Sequence, residues 1–162
     1  MPTPKKTSPA EAKKGMLENE KKWTKPVMQA GWTLLPSVLI ERQQAIGIDP
    51  VDMNILLHLA NRWWTAGTKP HPSVASIAKS IGRDRRTVQR RIAGMEAGGL
   101  IKREARKQAN NNSQTNIYHL DGLIEALKPY AQEVVEKRET AAKAKNDIAA
   151  KKGKPKLKAA GT

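Results

Sequence analysis

The chain contains no cysteine among its 162 residues. That absence excludes disulfide bonds, a thiolate nucleophile and any cysteine-ligated zinc site. The sequence also lacks an apolar run approaching the ~18 residues of a membrane span. Its first residues, MPTPKKTSPAEAKK, have no apolar centre of the kind found in a secretory signal. We therefore expect a cytoplasmic protein with no membrane partner.

Groupings of residues that mark enzymes are missing as well. There is no GxxxxGKS or GxxxxGKT phosphate loop, no Ser/His/Asp grouping with recognisable spacing, and no pair of carboxylates in an apolar setting. The histidines, His58, His71 and His119, are scattered without metal-ligand spacing. We expect no catalytic site, no metal, no cofactor and no small-molecule ligand, and we interpret the protein as a non-enzyme.

Positive charge is abundant. The 30 lysines and arginines outnumber the 15 aspartates and glutamates, which gives a formal net charge of +15. Such an excess predicts a polyanionic partner, with nucleic acid ahead of an anionic membrane surface. Residues 1–25 and 151–162 are lysine-rich and poor in apolar residues. Because such segments cannot bury enough apolar area to offset chain entropy, both are expected to be disordered basic tails.

Two helices are predicted in the first half of the chain. The run GWTLLPSVLI favours a short helix over residues 37–45 with Ser37 as its cap. In IDPVDMNILLHLANRWW, Asp49 is suited to the N-cap and Pro50 to the first helical position. This second helix is expected to be central to the core, because apolar residues recur every four positions at Val51, Ile55, Leu59 and Trp63.

Trp63 and Trp64 continue the apolar period of that predicted helix. Core and boundary packing is therefore favoured for this pair over stacking on nucleic-acid bases.

A second pair of helices follows the connection AGTKPHP. Ser73 is predicted to cap a third helix that ends at Gly82, and Asp84 to cap a fourth that runs to about Ala97. Two short helices joined by a three-residue turn containing glycine match the helix-turn-helix pattern.

The fourth predicted helix carries the arginine-rich stretch RDRRTVQRR. At about 100° per residue, Val88, Ile92 and Met95 fall within a narrow arc and should be buried. The opposite face then presents arginine and glutamine outward, whereas Arg85 and Arg91 are expected nearer the edges of the core, with their charged heads in water. Arginine matches guanine O6 and N7, glutamine matches adenine N6 and N7, and the major groove of DNA admits a helix. The alternative is a solvated basic face without a partner.

The segment LIKREARKQANNNSQTNIYHL predicts a β-hairpin with strands over residues 100–106 and 114–120. Asn116, Tyr118 and Leu120 alternate onto one side of the return strand. Such a hairpin suits contact with the sugar-phosphate backbone or the minor groove. Its basic loop could equally be a hairpin tip without a partner.

Residues 122–150 are predicted to be helical, with Pro129 restarting the chain at the first position of a new helix. This segment packs on the domain or pairs two copies in a homodimer, and the heptad pattern is too short to predict a coiled coil.

The strings GWTLLPSVLI, HPSVASIAKSIGRDRRTVQRRIAGMEAGGLIKRE and SQTNIYHL resemble the winged helix-turn-helix family of phage and plasmid replication initiators and bacterial regulators of mobile elements. The resemblance covers about residues 26–121. It implies a mainly α fold with a small β-hairpin, with helix 84–97 in the major groove. Family members often have serine where Asp84 stands, so Asp84 is interpreted as a cap only.

The DNA-binding candidates fall into two groups. On the recognition helix they are Arg85, Arg86, Thr87, Gln89 and Arg90. At the helix start and on the hairpin, or wing, they are Ser73, Arg83, Lys102, Arg103, Arg106 and Lys107.

The sequence therefore predicts a winged helix-turn-helix domain over residues 26–121, a helical segment over 122–150 and basic tails. The function that it favours is sequence-specific binding of double-stranded DNA by a bacterial, phage or plasmid transcriptional regulator, associated with the nucleoid. A replication initiator or origin-binding protein is the first alternative, and a nonspecific architectural DNA-binding protein the second.

Overall fold

A computed structural model of the chain describes residues 9–106 and 115–152. The chain divides into two units, Met1–Leu35 and Pro36–Thr162. The described elements are, in order, α1 (Pro9–Trp23), α2 (Lys25–Gln29), α3 (Ser37–Glu41), α4 (Pro50–Ala60), α5 (Val74–Ile81), α6 (Arg85–Ala97), β1 (Lys102–Glu104), β2 (Ile117–His119) and α7 (Asp121–Lys152). The fold is mainly α with one small antiparallel hairpin, as the sequence predicted.

The first unit corrects the prediction of a disordered arm over residues 1–25. Helix α1 occupies Pro9–Trp23, whereas residues 1–8 lie outside the described part of the chain. Alanine, lysine, glutamate, methionine and leucine are good helix formers, and Lys21 pairs with Glu18 one turn earlier at 2.7 Å. None of the side chains from Lys14 to Leu35 is buried. Local propensity thus forms a helix here without a core.

The second unit contains the hydrophobic core, which α4 supplies with Ile55, Leu56 and Leu59. The three side chains are at most 1% exposed. Each buried aliphatic side chain contributes about 1.5–3 kcal/mol relative to its exposed state. The rest of the core comes from the surrounding elements, through Leu39, Ile48, Ile77, Ala78, Val88, Ile92, Met95, Ile101, Tyr118, Leu120, Leu123 and Leu127.

Helix α3 differs from the prediction at both ends. It begins at Ser37 with Pro36 as its N-cap, it has no side-chain cap, and it ends at Glu41 instead of residue 45. The chain then turns through Gly47, whose φ is 75°. A hydrogen bond from the Ile48 amide to the Gln43 carbonyl (2.8 Å) closes this turn.

The start of α4 confirms the predicted cap. The Asp49 carboxylate accepts hydrogen bonds from the backbone amides of Val51 (2.7 Å) and Asp52 (2.9 Å). The Asp52 carboxylate accepts one in return from the Asp49 amide (3.3 Å). This reciprocal capping box fixes where the helix begins.

The end of α4 does not follow the prediction. The helix ends at Ala60, and both Trp63 and Trp64 lie beyond it. Tighter hydrogen bonds, such as the one from the Trp63 amide to the Ala60 carbonyl (3.0 Å), close the last turn. Trp63 is half-buried beneath the Lys69 ammonium, 5.4 Å from its ring centre, and Trp64 is 73% exposed. The prediction of core packing is therefore wrong for Trp64. Leu56, which the four-residue repeat did not include, is buried in the core.

The helix pair α5 and α6 agrees with the prediction. The Ser73 hydroxyl accepts a hydrogen bond from the Ser76 amide (3.0 Å) and caps α5. Gly82 ends α5 in the left-handed conformation, with a φ of 63°. That conformation favours glycine because it has no Cβ.

The hairpin is shorter than predicted. Strands β1 and β2 have three residues each, and Arg103 pairs with Tyr118 at their centre. Tyr118 and Leu120 are buried, which confirms the predicted alternation. The Tyr118 amide donates to the Pro70 carbonyl (2.8 Å), so the loop before α5 borders the outer side of β2. The predicted loop of the hairpin, including Lys107, lies outside the described residues.

Helix α7 corrects the prediction for Pro129. One continuous helix contains this proline and extends to Lys152. Proline lacks the amide that would bond to the carbonyl four residues earlier, so tertiary packing maintains the helix at this point. Arg42 lies 5.7 Å from the centre of the Tyr130 ring and 3.8 Å from the Glu133 carboxylate. All side chains from residue 136 to residue 149 are exposed.

The structure describes only the first two residues of the predicted C-terminal tail. Lys151 and Lys152 belong to α7, whereas the rest of the predicted basic tail lies outside the described residues. Among the helices in residues 9–106 and 115–152, none is long and apolar enough to cross a membrane.

Candidate nucleic-acid interface

The candidate interface is centred on α6, which begins with a strong cap. The Asp84 carboxylate accepts hydrogen bonds from the Thr87 amide (2.7 Å) and from the Thr87 hydroxyl (2.6 Å). The hydroxyl bond, followed by the amide bond, holds the pKa of the Asp84 carboxyl below its ordinary value. Thr87 was predicted to face DNA, but its hydroxyl proton is directed at Asp84.

The inner face of α6 confirms the predicted helical phase. Val88 and Ile92 are fully buried and Met95 is 4% exposed. Packing of these three side chains fixes how far α6 is rotated about its own axis. The side chains on the opposite face must therefore point to solvent.

That outer face is formed by Arg86, Gln89 and Arg90, all of which are exposed. Within the part of the chain that the structure describes, none of the three side chains forms a hydrogen bond or an ion pair. Three long polar side chains with unused donors thus lie on a helix whose other sides are fixed. Arg85, predicted to lie nearer the edge of the core with its charged head in water, is also exposed.

One flank of α6 is bound to α4 through Arg91. Its guanidinium forms an ion pair with the Asp49 carboxylate and lies 3.8 Å from that of Asp52. Burial raises the pKa of the Asp52 carboxyl above its ordinary value of 3.8. The sequence placed Arg91 near the edge of the core, as observed, but the two acidic partners of Arg91 were not predicted.

The other flank of α6 is bound to the hairpin through Glu96. Its carboxylate accepts hydrogen bonds from the Arg103 amide (2.8 Å) and from Nε of the Arg103 guanidinium (2.7 Å). The guanidinium bonds to Arg103 hold the pKa of Glu96 below its ordinary value of 4.5. Arg103 was predicted to contact the nucleic-acid backbone, yet its guanidinium is occupied inside the protein. Glu96 was missed because no local pattern pairs it with a residue seven positions later.

A groove of about 520 Å³ runs between the outer face of α6 and the hairpin. Arg86, Gln89, Arg90 and Arg103 are brought together in its walls. A second depression of about 380 Å³, on the side of α5, is lined by Ser73, Arg85 and again Gln89. Gln89 therefore lies between two concave surfaces that both carry arginine.

The remaining candidates occupy different positions. Lys102 on β1 and Arg83 in the turn before α6 are exposed. Arg106 donates to the Thr115 carbonyl (3.2 Å) and so connects the two sides of the hairpin at its described end. The Ser73 hydroxyl accepts the capping bond at the start of α5. Among the residues that the structure describes, no group of histidine and acidic residues is arranged to hold a metal ion.

Residues 47–101 match a family described as a helix-turn-helix domain. The chain is similar to the N-terminal domain of the DnaD protein from Geobacillus kaustophilus HTA426, with 15% identity, a TM-score of 0.50, and coverage of 76% of this chain and 96% of that one. At this level of identity the likeness extends to the fold alone.

Two further solved structures are similar at lower scores. One is a possible transcriptional regulator from Methanosarcina mazei Go1, with 15% identity, a TM-score of 0.42, and coverage of 67% of this chain and 85% of that one. The other is the S. aureus MepR–DNA complex, with 14% identity, a TM-score of 0.40, and coverage of 85% and 87% respectively. No curated protein sequence matches this chain.

Proposed function

Because residues 47–101 form a helix-turn-helix domain, we propose that this protein binds double-stranded DNA sequence-specifically as a bacterial, phage or plasmid transcriptional regulator. The outer face of α6 is the observation that supports this function. Arg86, Gln89 and Arg90 are exposed together on a helix that is fixed by the core, by α4 and by the hairpin. A duplex-DNA partner associates the protein with the nucleoid in this proposal.

The chemistry of this face suits the major groove. Arg86 and Arg90 can each donate two hydrogen bonds to guanine O6 and N7, and Gln89 can bond to adenine N6 and N7. Because no described residue competes for these donors, binding DNA breaks no ion pair within the protein. The fixed rotation of α6 lowers the entropy that base recognition costs.

Backbone contacts come from side chains around this face. Arg83 and Lys102 are exposed cations on either side of α6 in the chain, and Ser73 and Arg85 line the depression beside α5. Contacts of this kind bind phosphate oxygens and orient a protein on the duplex without reading its sequence. Thr87 makes no phosphate contact of this kind, since its hydroxyl proton is directed at Asp84 and its oxygen can only accept, as from a base amino group.

The test begins with selection of a preferred site from a random duplex library, followed by binding titrations at one salt concentration. Replacing Arg86 or Arg90 by alanine should cost about 1–3 kcal/mol on the selected site and change binding to a scrambled duplex little. Lys102→Ala should weaken binding to both duplexes, as expected for a phosphate contact. Arg138→Ala is the matched control, because it removes the same charge from an exposed position on α7.

Equal losses on the selected and scrambled duplexes for both Arg86→Ala and Arg90→Ala would contradict the proposal. The helix would then be an electrostatic patch, and the protein an architectural DNA-binding protein. A map of binding across the genome of the source cell separates the remaining roles. Peaks at promoters are expected, whereas a single peak at a replication origin would replace the regulator by an initiator.

A homodimer through residues 122–150 stays a prediction. The burial of side chains in α7 limits which of them a second copy could contact. Leu123 and Leu127 are buried in the core of their own unit. A second copy would therefore contact the exposed side chains of α7, among which Ile124, Val135 and Ile148 are apolar. Sedimentation velocity of the full chain over a range of concentrations measures whether the dimer forms.

A further inference from the structure

The contact between Glu96 and Arg103 joins the two elements that the proposed function assigns to DNA. Glu96 is the penultimate residue of α6, and Arg103 is the central residue of β1. Oε1 of the Glu96 carboxylate accepts a hydrogen bond from the Arg103 backbone amide. Oε2 accepts hydrogen bonds from two nitrogens of the Arg103 guanidinium. Both side chains are about one-third exposed, at 31% and 33%.

This geometry restrains the main chain of the hairpin and not only a side chain. The backbone bond fixes the position of β1 against α6, and the guanidinium bonds add a charge-assisted contact of defined orientation. Arg103 pairs across the hairpin with Tyr118, which is buried in the core. The hairpin is therefore held from its centre, between the Glu96 carboxylate and the packing of Tyr118.

We propose that Glu96 is a positioning residue for DNA recognition, and that Arg103 acts through Glu96 instead of binding a phosphate itself. The pair sets the angle between the hairpin and the outer face of α6, so that Lys102 meets the DNA backbone while Arg86 and Arg90 meet the bases. This inference rests on the proposed function, since it assigns a role only if α6 binds DNA.

Electrostatics and positioning predict opposite signs for the loss of the Glu96 charge. A carboxylate beside a phosphate-binding groove repels DNA, so electrostatics alone predicts tighter binding when Glu96 becomes neutral. Positioning predicts weaker binding to the selected site, because the released Arg103 no longer holds the hairpin in place. The direction of the change therefore separates the two effects.

The first test is Glu96→Gln, titrated against the selected and the scrambled duplex. We expect affinity for the selected site to fall by about tenfold, within the range for a lost charged hydrogen bond, and binding to the scrambled duplex to change little. Glu125→Gln is the matched control. It removes an equivalent exposed carboxylate, paired with Lys128 at 2.6 Å, from α7. Tighter binding by Glu96→Gln to both duplexes would overturn the proposal.

The second test exchanges the two charges in the double variant Glu96→Arg with Arg103→Glu. The net charge of the protein is unchanged, and the ion pair can form in reverse. The exchange cannot restore the bond from the backbone amide of residue 103, because an arginine side chain has no acceptor. If the ion pair positions the hairpin, the exchange therefore recovers part of the selected-site affinity that Arg103→Glu alone loses. The dependence of log K on log salt should also match the native slope, because no phosphate contact is removed.

Failure of this inference is distinguishable from failure of the proposed function. Discrimination between the two duplexes by the native protein, and its loss in Arg86→Ala, tests the function without Glu96. Thermal unfolding of each variant, followed by circular dichroism, identifies any that fail to fold. An exchange variant that melts like the native protein but binds the selected site no better than Arg103→Glu overturns the positioning role, whatever the stability of Glu96→Gln.

Discussion

Gly122, in the first turn of α7, is the glycine at which a single added methyl group should destabilise the fold most. A Cβ added to this glycine would lie 1.9 Å from the Gly99 carbonyl oxygen and 3.0 Å from its carbonyl carbon. Both neighbours are backbone atoms, so no side chain can rotate away. Gly99 itself has a φ of 72° at the turn that leads from α6 into the hairpin.

Two effects of opposite sign act on Gly122→Ala. Helix propensity favours alanine over glycine by at most about 1 kcal/mol. To relieve the clash, the Gly99 peptide or the start of α7 must move by about 1.5 Å, since non-bonded heavy atoms pack at about 3.5 Å. Overpacking of this kind costs about 1–3 kcal/mol. The shift also strains the bonds from the Gly99 amide to the Glu96 carbonyl (3.0 Å) and from the Leu100 amide to the Met95 carbonyl (2.9 Å).

The contact with backbone atoms places the overpacking cost near the upper end of its range, and propensity offsets up to about 1 kcal/mol of it. We therefore expect Gly122→Ala to lower the free energy of unfolding by about 2 kcal/mol in urea titrations followed by circular dichroism. Gly94→Ala is the matched control. Gly94 lies within α6, and its added Cβ meets no atom within 4 Å. This variant should gain up to about 1 kcal/mol from propensity. Equal stabilisation by both substitutions would refute the close approach between α7 and the turn at Gly99.

Three further predictions concern the same domain. Val88→Asp should unfold it, because an unpaired carboxylate would replace a fully buried side chain, and melting like that of the native protein would mean that the phase of α6 is wrong. Gly82→Ala should lower the free energy of unfolding, determined from thermal melting, by about 1 kcal/mol, since the φ of 63° strains any residue with a Cβ, and Gly82→Asn should lower it less. The bonds from Arg103 lower the pKa of Glu96, so this carboxylate stabilises the fold above its unfolded value near pH 4.5 and loses that effect as pH falls through the lower folded pKa. Unfolding free energies measured below pH 4.5 should accordingly fall less steeply in Glu96→Gln than in the native protein.

The features that the sequence predicted correctly are those that neighbouring residues determine. The side chains of Asp49, Ser73 and Asp84 each accept a hydrogen bond from a backbone amide no more than three residues later. Because both partners are close in the sequence, the sequence alone is enough to predict these caps. The buried face of α6 was predictable from the helical period, because the caps had already defined where the helix begins and ends. Gly82 was predictable because the turn needs a conformation that glycine adopts without strain.

The features that were missed depend on tertiary contacts or on competing local preferences. The helical period placed Arg91 near the edge of the core but identified no partner for Arg91 or Glu96. Only the folded chain brings Asp49 and Asp52 to Arg91. It likewise brings Arg103 to Glu96. Pro129 suggested a helix boundary that packing overrides. Helix α1 was missed because a segment with too few apolar residues to form a core was interpreted as disordered. Helix propensity and one ion pair suffice to form the helix locally.

The absence of described partners for Arg86, Gln89 and Arg90 has a consequence for how readily this protein can change. Native stability should depend little on these three side chains, apart from proline and glycine, which disfavour a helix. A library randomised at only these positions should therefore consist mostly of folded proteins. Selection for a new binding target could then proceed without compensating substitutions elsewhere. Mutations at Arg91 or Glu96 would lack that freedom, because each would also loosen the scaffold. The helix thus divides into a part that can diverge rapidly and a part that must be retained.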